Sequence, residues 1–183
     1  MDLSITCDGS CNWHRTHAGI VVRNAKDGSL LAEVSWPLKG RTNNEAEYGA
    51  LIEGCARAWR TLDEHDAELG NITFYVDSQL LVRQLNGAYA VREKGLRKLH
   101  QEAVTKLKEL KARVVWHRRE AGDGPRADEL SKERAWNSRS NGTKKTWNGN
   151  FEKSWKRAAS ESSSSSPARV PNPCLPSSGV TSP

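Results

Sequence analysis

No stretch of this 183-residue sequence reaches the roughly 18 consecutive apolar residues of a membrane span, which removes a spanning helix from consideration. The opening MDLSITCDGS has neither a basic n-region nor a long apolar run, so no secretory signal is expected. Cysteine is sparse: Cys7, Cys11, Cys55 and Cys174. Cys7 and Cys11 have no His or Cys partner at zinc-finger spacing, and the expectation is reduced thiols in a soluble, cytoplasmic protein without a membrane partner. There is no internal repeat. A strong excess of positive charge is also missing from most of the chain. Residues 1–138 hold 21 basic and 20 acidic residues, whereas 139–183 hold 7 and 2, so a nearly neutral body precedes a basic tail. Such a body has no broad electrostatic grip on nucleic acid, though it can carry a local basic track.

What is present reads as one α/β domain over 1–138 and an extension over 139–183. LSITCD, Leu3 to Asp8, is a strand. AGIVVRN from Ala18 and SLLAEVSW to Trp36 are two more, joined at Asp27-Gly28, a strong hairpin signal. Thr42 is an N-cap with Glu45 as its capping-box partner, and Ala46, Ala50, Leu51, Gly54, Cys55, Ala58 and Leu62 repeat at helical spacing. ITFYV, 72–76, is a nearly continuous apolar run, as in a strand buried on both faces. A short helix follows Asp77-Ser78, another runs from about Gly95 to Lys111, ARVVWHR is the last strand, and Pro125 opens a final helix through Trp136. The order β-β-β-α-β-α-α-β-α implies a five-stranded mixed sheet, three antiparallel strands then two parallel, with helices on both faces. The tail is polar and Gly/Asn-rich, then low-complexity Ser/Pro, and is expected to be disordered.

Four carboxylates stand at informative places. Asp8 closes the apolar run of the first strand, Glu47 lies near the start of the first long helix, Asp77 ends the buried strand, and Asp128 is early in the last helix. Taken singly, an Asp at a strand end is ordinarily a turn or cap residue, and an early helical Glu serves the dipole. Taken together at one end of a sheet, they repel unless a cation neutralises them. Oxygen-only ligands select hard ions such as Mg²⁺, with Mn²⁺ as a substitute, and two such ions can promote phosphodiester hydrolysis.

Four motifs carry a resemblance: CDGSC at 7–11, TNNEAEYGAL at 42–51, YVDSQLLVRQLNG at 75–87 and ADELSKERA at 127–135. In this order and spacing, from about Leu3 to Trp136, the chain resembles type 1 ribonuclease H. The resemblance implies an endonuclease that hydrolyses the RNA strand of RNA–DNA hybrids with two Mg²⁺ ions, leaving 5′-phosphate ends. It implies that Asp8, Glu47, Asp77 and Asp128 are the catalytic, metal-binding set. Asp8 and Asp77 would hold both ions, Glu47 the ion on the 2′-hydroxyl side, and Asp128 the nucleophile-side ion more loosely. It also implies RNA contact through Asn44, with Asn43, Ser78, Gly9 and Ser10 beside it, since 2′-hydroxyls distinguish RNA from DNA. A monomer acting on hybrid is expected, and no protein partner is inferable.

The chain departs from that family in three places. Many members carry a flexible loop whose His assists protonation and product release; here the run is VVWHRREAGDGPRAD, similar to the branch without that His. Spacing from Asp128 puts Glu120 at the vacant position, as a substitute or with nothing in its place, and makes His117 a strand residue. The usual Gly/Pro-rich turn after Asp8 is replaced by NWHRTH, 12–17, in which Trp13, His14 and Arg15 either touch substrate or fill a hairpin. There is no long basic insertion before Gly95, only Arg92, Lys94, Arg97 and Lys98, whose plain reading is a solvated helix face. The competing function is a catalytically weak hybrid- or nucleic-acid-binding module on the same fold. In either case Lys144, Lys145, Trp147, Lys153, Trp155, Lys156 and Arg157 suit a nucleic-acid-binding arm, against a plain disordered extension.

Overall fold

A computed structural model describes residues 1–133 apart from 13, 14 and 41. The tail, the boundary at 138 and the end of the last motif lie outside the described residues.

Three strands come first: β1 (Leu3–Asn12), β2 (Arg15–Asn24) and β3 (Leu30–Pro37). They are followed by helix α1 (Asn43–Glu64), strand β4 (Ile72–Val76), helices α2 (Gln79–Leu85) and α3 (Lys94–Glu109), strand β5 (Arg113–Trp116) and helix α4 (Gly124–Lys132). The sheet order is β3-β2-β1-β4-β5; β1 and β2, and β2 and β3, pair antiparallel, while β4 runs parallel to both β1 and β5. This is the expected mixed sheet. None of the described helices is long and apolar enough to cross a membrane.

The period of two along β1 assigns its faces. Leu3, Ile5 and Cys7 point into the main core with Ile20, Val22, Leu51, Cys55 and Phe74. α1 covers that face with α3 packed against α1, and the apolar stripe read from the sequence is the buried stripe of α1. The other face is covered near β1 and β2 by α4, where Val21, Ala127 and Leu130 form a small second cluster. Two ion pairs tie the α4 region to the sheet. Arg23 forks onto Asp123 at 2.7 and 2.8 Å, and Arg126 reaches Glu33 at 2.9 Å.

The sequence pattern and the structure differ at the first hairpin. Asp8 does not end its strand. β1 continues to Asn12 and β2 begins at Arg15, so Asp8 pairs with Gly19 and Asn12 with Arg15. Apolar alternation stops at Asp8, but strand pairing is made by the backbone, which runs on beneath polar side chains. The capping box forms as expected: Glu45 N–H donates to Thr42 Oγ1 and Thr42 N–H to Glu45 Oε2, both at 3.2 Å.

Candidate active site

The parallel register between β1 and β4 places the first two carboxylates. Thr6 pairs with Tyr75, so Asp8 stands two residues further along β1 and Asp77 at the matching position just past the end of β4. β4 ends at Val76, whereas β1 runs six residues past Thr6, and the flank of β1 beyond that point has no strand beside it. Glu47 enters there from α1. The Gly9 N–H donates to its carboxylate. That approach depends on Gly9 lacking a side chain, because a Cβ there would lie 2.3 Å from the backbone carbonyl of Ala46 and 2.5 Å from the nitrogen of Glu47. Asp8, Glu47 and Asp77 each bring a carboxylate oxygen within 4.8 Å of the others.

Asp128 comes from α4, which crosses β2 at Gly19, the register partner of Asp8. Ser131, one turn after Asp128, shares its one hydroxyl proton between the Asp8 carboxylate and the Asp128 carbonyl, the latter at 2.8 Å. Asp128 is joined to the other acids through Arg119. The guanidinium lies 2.6 Å from Asp77, 3.2 Å from Asp128 and 3.7 Å from Asp8. Lys132 takes the second Asp128 oxygen at 2.6 Å. The structure therefore gathers three of the four expected carboxylates directly and links the fourth by a cation.

The electrostatics follow from burial. Asp8 is 5 % exposed, and desolvation raises its carboxyl above the ordinary range; the Ser131 hydrogen bond opposes this, as does the charge of Arg119. Glu47 is pushed up to about 8, first by desolvation and then by the charges of Asp8 and Asp77. A buried to half-buried group of acids, in which the charge of Asp77 raises both Asp8 and Glu47, with oxygen donors only, matches what a hard divalent cation requires of its ligands.

The remaining site expectations fall as follows. Asn43 and Asn44 open α1, and Ser10 is half-buried on the Asp8 face of β1. Ser78 caps α2, its hydroxyl accepting from Leu81 N–H at 3.3 Å. Glu120 is exposed, and the side chain that enters the carboxylate cluster is its neighbour, Arg119. Sequence reading missed Arg119; the only signal was a basic residue beside the position assigned to the absent His. His117 follows β5, half-buried, with its ring edge-on to Tyr75 at 5.8 Å. In the basic cluster at the start of α3, Arg97 bonds the carbonyls of Val91 and Arg92, both at 3.1 Å, and so braces the link from α2. Trp13 and His14 lie outside the described residues.

Sheet order and carboxylate geometry define a ribonuclease H-like fold. A family model described as "Reverse transcriptase-like" matches residues 6–133, and the chain belongs to that family. Among solved structures, RNase H1 of the halophilic archaeon Halobacterium salinarum is 28% identical with a TM-score of 0.62, covering 72% of this chain and 95% of its own. LC11-RNase H1, isolated from compost, is 32% identical with a TM-score of 0.58, covering 70% and 91%. The same enzyme in complex with RNA/DNA hybrid matches at 30% identity and a TM-score of 0.59, covering 70% and 92%.

Proposed function

We propose that this protein is an endoribonuclease that hydrolyses the RNA strand of RNA–DNA hybrids with two divalent cations, Mg²⁺ in the first place. The observation that carries the reading is the convergence of Asp8, Glu47 and Asp77 within 4.8 Å on this fold. A relative with 92% of its chain covered was crystallised with RNA/DNA hybrid, which supports the substrate class. Asp8 and Asp77 would hold both ions, with Glu47 and Asp128 each completing one. When bound, the ions activate water and neutralise charge on the scissile phosphate. The chain's own residues do the rest. Gly9 N–H orients Glu47, and Ser131 orients Asp8. Asn44, with Asn43 beside it at the start of the helix that carries Glu47, would read 2′-hydroxyls of the strand being cut.

A labelled RNA–DNA hybrid tests this directly. Wild type should cut the RNA strand in Mg²⁺ and stop in EDTA, while Asp77→Asn should fold normally and lose cleavage. Hybrid binding without cleavage by the wild type would instead support a binding module.

A further inference from the structure

The residue after Glu47 faces away from the carboxylates. Tyr48, turned by about 100° around α1, points toward α2 and α3. It is the largest fully buried side chain among the described residues, 1 % exposed. Its hydroxyl donates to Gln84 Oε1 at 2.9 Å, and the bond is buried. Gln84 is itself buried and comes from the last turn of α2. His100 Nε2, from α3, lies 3.2 Å from the Gln84 carbonyl, and the His100 ring stands edge-on to the Tyr48 ring at 6.1 Å. One residue from each of three helices thus meets at a single point.

The two ends of this bridge lead to two of the carboxylates. Tyr48 follows Glu47 directly, and Gln84 belongs to the seven-residue helix whose cap, Ser78, follows Asp77. The seat of α1 on the sheet is smooth by contrast. Ala46, Ala50, Gly54 and Ala58 are buried at every fourth position, and a Cβ at Gly54 would lie 2.6 Å from Cys7 Sγ. Residues this small let helix and sheet approach closely but interlock little, so they fix the height of α1 better than its rotation. Rotation matters here, because a side-chain tip roughly 5–6 Å from a helix axis moves about 1 Å for a turn of about 10°. A hard ion such as Mg²⁺ demands near-ideal octahedral ligand positions and tolerates little of this. A directional hydrogen bond, strengthened by burial, supplies the constraint that the seat lacks. We propose that Tyr48 and Gln84 are positioning residues, whose bond fixes the rotation of α1 and with it the place of Glu47 relative to Asp77. This deepens the nuclease reading and rests on its metal site.

The test is a double-mutant cycle on the full chain: wild type, Tyr48→Phe, Gln84→Met and both together. Urea unfolding in EDTA reads stability, and calorimetric titration of Mn²⁺ without substrate reads the metal site. Each single variant leaves one buried polar group unpaired and should unfold at lower urea. The double variant removes both groups and should regain most of that loss. Mn²⁺ affinity should fall about 10-fold in all three, because none of them restores the constraint on Glu47. Hybrid cleavage in Mg²⁺ should show a lower kcat, with KM for hybrid at the wild-type value. A second arm uses wild type alone. Mg²⁺ should slow hydrogen exchange at Leu85 and Asn86, at the far end of α2, as well as at Leu81 in its first turn. Wild-type Mn²⁺ affinity in either single variant, affinity that returns together with stability in the double variant, or protection confined to the first turn of α2 overturns the positioning role. The nuclease reading is scored separately. A wild type that cuts, with variants that keep its Mn²⁺ affinity, loses only the positioning role. A wild type that binds Mn²⁺ and loses affinity along the cycle but never cuts loses only the nuclease reading.

Discussion

Arg119 Nε lies 2.6 Å from Asp77 Oδ2, and the same guanidinium reaches Asp128 and Asp8. It thus sits among oxygens that a divalent cation would also need. A charge fixed to the chain and a free ion compete for one set of ligands, so the guanidinium must move as metal enters. It is half-exposed on a loop, which leaves it room to do so.

Replacing Arg119 therefore has two opposite effects. In Arg119→Ala, metal-free protein should unfold at lower temperature, because Asp8, Asp77 and Asp128 lose their shared cation and repel. Metal affinity should rise several-fold, measured by calorimetric titration of Mn²⁺, and saturating Mg²⁺ should recover much of the lost thermal stability. Equal Mn²⁺ affinity in wild type and variant would exclude the competition.

Glu47 supplies a pH dependence of defined sign. Its carboxyl is held at about 8 in the metal-free fold, above the ordinary value of 4.5. Below the ordinary value, folded and unfolded chains are both protonated there. Between that value and about 8 the unfolded chain releases the proton and the folded chain retains it, so folding stability falls as pH rises. Metal-free wild type should lose stability relative to Glu47→Gln between pH 5 and pH 9, by an amount on the order of a few kcal/mol in urea unfolding. Parallel pH profiles for the two proteins would show that Glu47 is not held protonated. Mn²⁺ binding near neutral pH should release a proton in wild type and less in Glu47→Gln, which buffers of different ionisation enthalpy would detect.

Ser78 separates substrate contact from helix capping. Its hydroxyl accepts from Leu81 N–H. Ser78→Ala should cost about 1 kcal/mol through the lost cap, and Ser78→Asp should restore it. If capping is its whole task, KM for hybrid stays at the wild-type value in both. A raised KM in Ser78→Asp, with stability intact, would return Ser78 to the substrate-contacting set.

The parts of this molecule that were legible in the sequence depend on local periodicity. The apolar stripe of α1 follows from a 3.6-residue repeat, its capping box from the Thr42–Glu45 spacing, and the buried β4 from a nearly continuous apolar run, each within one segment. The adjacency of Asp8 and Asp77 was legible too, because strand order alone lets β1 neighbour β4. The polar half of the first hairpin was not, since its pairing is made by backbone atoms beneath side chains that break the apolar pattern. Arg119 was hidden for a different reason. Two of its three partners lie 42 and 111 residues away in sequence, and a loop arginine carries no periodicity.

Gly19 tests how far the site depends on the placement of α4. It pairs with Asp8 across the hairpin, and a Cβ there would lie 1.9 Å from the Ala127 carbonyl oxygen and 2.6 Å from the Ser131 nitrogen. Both obstacles are backbone atoms in a helix, so neither can swing aside. Gly19→Ala must instead lift α4 from the sheet, opening the packing among Val21, Ala127 and Leu130 and carrying Asp128 and Ser131 away from Asp8. Such overpacking costs about 1–3 kcal/mol, readable in urea unfolding. Hybrid cleavage should fall much further than that loss alone implies, because a displacement of about 1 Å at reacting groups costs on the order of 100-fold. Gly28→Ala is the comparison. Gly28 has φ +73 at an exposed turn, with nothing within 4 Å of the place an alanine methyl would occupy. Alanine there should cost about 1–2 kcal/mol and leave cleavage per folded molecule unchanged. Equal activity losses in the two variants would mean that α4 position does not govern the site.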